Sequence, residues 1–185
     1  MKYAALLITL LMVGCSSTPV ETQFYLLRQH QAFESRELKP SPDFSLGKVD
    51  IAPYIDQPGL VLEVAPGQVR PAQHHEWAEP MHTSVRILLQ RQISLQLGVD
   101  LFPANFSAAP TVVEVHIDQL HGTNDGNAMI LAYWWTLRDG EIQSTYQYSK
   151  TLALAQDGYA ALAKAEEELL SGLAVSISDT LKALP

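Results

Sequence analysis

The chain holds one cysteine, Cys15, so no disulfide can form within it. Its N-terminal apolar run, Ala4 to Val13, is too short for a membrane-spanning helix, which takes about 20 apolar residues; Thr18, Glu21, Thr22 and Gln23 follow it closely. Cations are scarce, with 12 Lys and Arg against 20 Asp and Glu. That balance argues against nucleic acid, which is held mainly by Lys and Arg on phosphates, and against electrostatic docking on anionic lipid. There is no Gly-x-Ser-x-Gly nucleophile elbow and no glycine-rich phosphate loop; the glycines stand singly, as turn and cap residues. Internal repeats and low-complexity tracts are missing as well.

What is present begins at the N-terminus. Met1-Lys2-Tyr3, the apolar run to Val13 and the small residue Gly14 form a secretory signal, and Cys15 directly after it makes this a lipoprotein signal. The expected product is cut before Cys15 and carries a covalent diacylglycerol on the thiol and an N-acyl lipid on the new amino terminus. A catalytic thiol at the end of a hydrophobic leader would have no shell to orient it. Residues 1–14 are thus read as signal peptide, 15–23 as lipidated tether and 24–185 as one folded domain. Loss of Lys2 leaves 11 basic against 20 acidic residues, a mature balance of −9. Attachment to the membrane then falls to the acyl chains, and two or more chains anchor stably where one does not. Ser16, where an aspartate would favour inner-membrane retention, sets the expectation of an outer-membrane lipoprotein facing the periplasm.

A domain of this length can bury about two thirds of its surface and fold without metals. Phe24-Tyr25-Leu26-Leu27 reads as a first strand, Gln29 to Phe44 as a loop with Pro40 and Pro42, and Gly47 to Ile55 as a strand ended by Pro53. Asp56-Gln57-Pro58-Gly59 reads as a turn in which proline fixes φ and glycine supplies a positive φ. Leu60 to Val64 is a further strand, and Gln68 to Glu79 is extended and polar. A helix is predicted with Pro80 as its first residue and Gly98 as its stop. Val113, Val115 and Ile117 alternate with Glu114, His116 and Asp118, as in a half-buried strand. Asn127 to Leu137 is apolar on both faces, which predicts a central strand. Asp139-Gly140 predicts a hairpin into Glu141 to Leu154. A last helix is predicted from Gly158 to about Leu184, capped by Asp157, with Tyr159, Leu162, Leu169, Leu173, Ile177 and Leu181 as its core stripe. The fold class is α/β (α+β): a single mixed β-sheet with a central hairpin and two main helices packed on it.

Few residues invite chemistry. His116, Asp118 and His121 form the most ligand-like cluster, but their spacing matches no metal motif, and a solvated polar face opposite Val113, Val115 and Ile117 accounts for them. His74, His75 and His82, near Glu76 and Glu79, read as surface histidines, because adjacent side chains on an extended chain point to opposite faces. Ser171-Gly172 lies within a helix without an obvious base. Glu166, Glu167 and Glu168 read as a solvated helix face or an interface rim. Trp134 and Trp135, with Tyr133, Tyr146 and Tyr148, supply core and cross-strand packing; since neighbouring tryptophans point to opposite faces, one of them needs a second layer, an oligomer interface or a lipid contact. No catalytic residue, metal or cofactor is expected.

The segment Val49-Asp50-Ile51-Ala52-Pro53-Tyr54-Ile55-Asp56-Gln57-Pro58-Gly59-Leu60-Val61, with Trp77-Ala78-Glu79-Pro80 before a helix, resembles the PqiC/YmbA family of ABC-type transport auxiliary lipoproteins. The resemblance extends to the Cys15 signal, Phe24 to Leu27, Val115 to Asp118 with Gly122, and the tryptophan-bearing strand. It departs at Gln57, where the family commonly has arginine. It implies a non-enzymatic outer-membrane lipoprotein that docks a periplasm-spanning MCE-domain protein, as a ring-like homo-oligomer, in a lipid transport system supporting envelope integrity. Tyr54, Asp56, Pro58, Trp77, Glu79 and Pro80 become the partner-binding or fold-defining residues under that reading. The alternative function is a periplasmic lipoprotein that itself carries a lipid in a cavity.

Overall fold

The computed structural model describes residues 20–27 and 36–184; residues 1–19, with the signal peptide, Cys15 and most of the tether, lie outside it, as do 28–35. The elements are β1 (Gln23–Tyr25), β2 (Pro40–Ile51), β3 (Gly59–Ala65), β4 (Gln68–Trp77), α1 (Met81–Leu97), β5 (Asp100–Pro103), a 3-10 turn (Ala104–Phe106), β6 (Thr111–Gly122), β7 (Asn127–Arg138), β8 (Glu141–Ala153) and α2 (Tyr159–Lys182).

The strands form one mixed 8-stranded sheet. Its hub is β6, which pairs antiparallel with β7 along its length and parallel with β2 on its other side. At the end of β6, Gly122 meets Leu62 and carries the sheet on into β3, β4 and β1. Strand β5 closes the β2 side and β8 the β7 side. Period-two alternation sends Val113, Val115 and Ile117 of β6 and Ala128, Ile130, Ala132 and Trp134 of β7 into the core. Both helices pack on that face and on each other, α1 against β2 and β5, α2 against β6, β7 and β8. The mixed α+β architecture is the one the sequence pattern predicts, with β7 central between β6 and β8.

Several local expectations are corrected. The loop predicted up to Phe44 yields to β2 at Pro40; Pro42 falls where the ladder with β5 is interrupted between Pro40 and Ser45, a position that tolerates a missing N–H. Strand β5 was not predicted. It is pinned by Asp100, whose carboxylate accepts the Lys39 backbone N–H at 2.7 Å and an Arg36 guanidinium N–H at 2.8 Å. Pro80 stands one residue before α1 with extended ψ of 130°, rather than inside it. At the other end Gly98 adopts φ of 72° and returns its N–H to Ser94 O, the helix stop its sequence position implies. Asp157 does not cap α2: Gly158 is the N-cap, no side chain caps the helix, and no acidic residue occupies its first turn.

The Glu166–Glu168 run is split by the helix. Glu168 is exposed and Glu167 half-buried, whereas Glu166 is 2% exposed. It stands four residues after Leu162 and three before Leu169, on the apolar stripe itself.

Candidate functional site

The two motif segments singled out in the sequence, 53–58 and 77–82, meet in space. Strand β2 ends at Ile51, Ala52 donates to Ile117 O at 2.9 Å, and Ile55 N–H turns back to Ala52 O at 2.9 Å. The turn that follows is held to β4 by one backbone bond, Trp77 N–H to Pro58 O at 2.7 Å. Gly59 does not use a positive φ, contrary to the turn reading. Its lack of a side chain serves a close approach instead: a Cβ there would collide with the backbone carbonyl of Ala72 across the β3–β4 ladder.

Asp56 reaches from this turn to the first turn of α1. Its carboxylate accepts the backbone N–H of His82 at 3.1 Å, and the His82 ring Nδ1–H donates to it at 2.9 Å. An acidic group from another segment thereby satisfies an orphan amide at a helix N-terminus and complements the helix dipole. Glu79 accepts a hydrogen bond from the buried Ser84 hydroxyl at 3.0 Å. Trp77 is buried, with the Tyr25 ring edge-on to it at 6.5 Å.

His75 takes a role the sequence reading did not give it. It is half-buried, stacks on Tyr159 of α2 at 4.4 Å, and its Nδ1 lies 2.9 Å from the Tyr25 hydroxyl. Tyr159, His75, Tyr25 and Trp77 therefore form an aromatic chain joining α2, β4 and β1. His74 is exposed, so the two histidines do part as extended neighbours must.

Tyr54 lies under the turn with its ring edge-on to His121 at 6.0 Å. Burial, more than the nearby carboxylates Asp118 and Glu166, pushes its hydroxyl up to about 12. His121 is buried and donates from Nδ1 to Gly122 O at 3.0 Å. Burial alone pushes the Glu166 carboxyl up to about 8, and its Oε1 has no hydrogen-bond partner among the described residues. The helical spacing of Glu166, on the stripe of Leu162 and Leu169, is the sequence signal of its burial, which its charge masks.

The remaining candidates lie apart. His116 sits on the outer face, 3.9 Å from the carboxylates of Asp50 and Asp118, while the register shift between Ile117 and Gln119 carries His121 into the interior. Among the described residues no three His, Cys, Asp or Glu side chains are grouped so as to hold a metal ion. Trp134 is 4% exposed and stacks on Tyr146 at 5.2 Å, so it belongs to the core rather than to a contact surface. Trp135 is half-buried on the opposite face and donates its indole N–H to Glu114 at 3.0 Å. No helix among the described residues is long and apolar enough to cross a membrane. Taken together, the motif residues tie the β2–β3 turn to the start of α1; Glu166 and His121 are shut away from solvent.

Comparison with known proteins agrees with this architecture. A family model for the ABC-type transport auxiliary lipoprotein component matches residues 25–178. The intermembrane transport lipoprotein PqiC of Escherichia coli (strain K12) is 23% identical over alignments covering 100% of this chain and 99% of that protein, and the PqiC of Shigella flexneri matches equally. A solved structure of an uncharacterized protein superposes with a TM-score of 0.73 at 19% identity, covering 87% of this chain and 99% of that one. Protein XCC0632 from Xanthomonas campestris superposes with a TM-score of 0.66 at 15% identity, covering 84% and 92%. These two structures share the fold.

Proposed function

The chain belongs to the ABC-type transport auxiliary lipoprotein family, and from that premise we propose that it is the lipid-anchored, non-enzymatic docking component of an intermembrane lipid transport system. In this reading Cys15 carries the acyl chains, the domain faces the periplasm from the outer membrane, and a ring of identical copies receives the far end of a periplasm-spanning MCE-domain protein. The observation that carries the reading is correspondence along the whole chain with an intermembrane transport lipoprotein. The joint built by Asp56, Pro58, Trp77 and Glu79 supports it as well, since a docking component needs a rigid loop at a fixed angle to its helix.

The test is co-purification from detergent-solubilised envelopes with an MCE-domain protein of the same cells, with membrane fractionation and native mass measurement of the purified lipoprotein. Capture of that protein by an oligomer from outer-membrane fractions is the expected result. A monomer that retains phospholipid and captures no MCE protein would instead favour a lipid carrier and overturn the docking role.

A further inference from the structure

We infer that the outward side of β1 is a membrane-contact wedge, in which Phe24 and Leu26, with Val20 before them, rest on the zwitterionic phospholipid surface to which Cys15 is anchored. The inference rests on the lipid-anchor reading of Cys15 and adds to it a surface of the folded domain.

The alternation of β1 generates the wedge. Tyr25 turns inward onto Trp77 and His75, and Leu27 is 1% exposed. Period two then leaves Phe24 and Leu26 outward, at 64% and 52% exposure. Val20 is 67% exposed. Single exposed apolar residues are ordinary on a protein surface, but these three fall within one short stretch immediately after the expected lipid attachment point.

Reach keeps the lipid surface the nearest partner of this stretch. From Cys15 to Phe24 a fully extended chain spans about 30 Å at most, so β1 stays within that distance of the anchoring bilayer however the domain turns. The element is also rigid. Its residues pair with His75, Glu76 and Trp77 of β4, Ala78 N–H donates to Tyr25 O at 2.8 Å, and the Tyr25 hydroxyl meets His75 Nδ1. Phe24 is thus presented on a fixed strand, with Leu26 one residue past its end, where an apolar body can enter the headgroup boundary. Charge selects the lipid class: Glu21 is exposed beside the wedge and Glu76 stands opposite Phe24, on a chain of net charge −8. That environment disfavours anionic headgroups and leaves zwitterionic ones.

The experiment uses the full-length lipidated protein in phosphatidylethanolamine–phosphatidylcholine vesicles. The chain's only cysteine is blocked by its lipid, so Phe24→Cys, Leu26→Cys and, as a distant control at an exposed apolar site, Phe106→Cys each give one thiol for an environment-sensitive fluorophore. Expected are a blue shift and a loss of emission to nitroxide-bearing lipid at positions 24 and 26, with neither at position 106. Emission at 24 and 26 matching that at 106, on protein whose N-terminal peptide has the mass of the lipidated form, overturns the wedge while leaving the anchor intact. An unlipidated peptide mass shows that the anchor reading has failed and takes the wedge with it. A blue shift at 24 and 26 that needs added MCE-domain protein assigns the surface to a protein partner and also overturns the inference.

Discussion

Asp56 and His82 are separated by 26 positions in sequence, and the Asp56 carboxylate accepts both the backbone N–H and the ring Nδ1–H of His82. Helix α1 is therefore capped by a residue of the β2–β3 turn, since Pro80 at its own N-cap position offers no side-chain acceptor. Asp56→Ala removes that acceptor and should destabilise the domain by about 1 kcal/mol, the usual cost of losing an N-cap. Asp56→Asn keeps an oxygen for the amide and should cost less. Thermal or urea unfolding of the two variants checks the order; equal loss in both would mean that charge, not the amide bond, matters.

Glu166 gives stability a pH dependence. Its carboxyl rises from 4.5 to about 8 on folding, so the folded chain keeps a proton that the unfolded chain releases. Stability from this group is whole below about pH 4.5 and is lost as pH rises through about 8, with a slope of at most about 1.4 kcal/mol per pH unit between. Glu166→Gln, which keeps the shape without the acid, should flatten the profile and raise the melting temperature at pH 8. A wild-type melting temperature that does not fall between pH 5 and 8 relative to Glu166→Gln would contradict the assignment.

The adjacent tryptophans should respond unequally. Trp134→Ala opens the core beneath Tyr146 and should cost about 3–5 kcal/mol. Trp135→Ala removes a half-buried ring and its bond to Glu114, and should cost clearly less. Chemical denaturation of both variants measures the difference.

Gly59→Ala places a methyl group against the Ala72 carbonyl. Backbone cannot move aside as a side-chain tip can, so a loss of about 1–3 kcal/mol is expected, with disturbance centred on β3 and β4. Amide exchange in those strands locates it; protection as in the parent would refute the close approach.

Cys15→Ala should leave a folded domain that partitions into the soluble periplasmic fraction and no longer supports envelope integrity. Far-UV circular dichroism of the variant, its fractionation and a detergent-sensitivity assay test the three parts separately.

Where local sequence decides structure, the sequence was legible. Pro80 and Gly98 bracket α1, Asp139 and Gly140 both take positive φ in the β7–β8 turn, and the doubly apolar Asn127–Leu137 stretch is an interior strand, between the hub β6 and the edge strand β8. Features made by distant contacts were not. Strand β5 is four residues long and owes its place to the tie between Asp100 and Arg36, 64 positions away. His75 is half-buried because Tyr159 arrives from α2. Gly59 is needed for a neighbour that only the folded sheet brings near. Of the candidate site, the motif segments were recognisable as blocks; the Asp56–His82 cap that joins them belongs to no pattern of spacing.

The pairing of β1 with β4 also sets an order of events. Residues 23–25 are matched to 75–77, in parallel. Synthesis delivers the N-terminus first, so residues 23–25 emerge early but have no strand to join until the chain has been delivered through Trp77. Long-range pairings of this kind form late, after the intervening loop has closed. Under the proposed lipidation of Cys15, processing would precede the pairing of residues 23–25, and that strand would lock into the sheet only once the β3–β4 hairpin is complete.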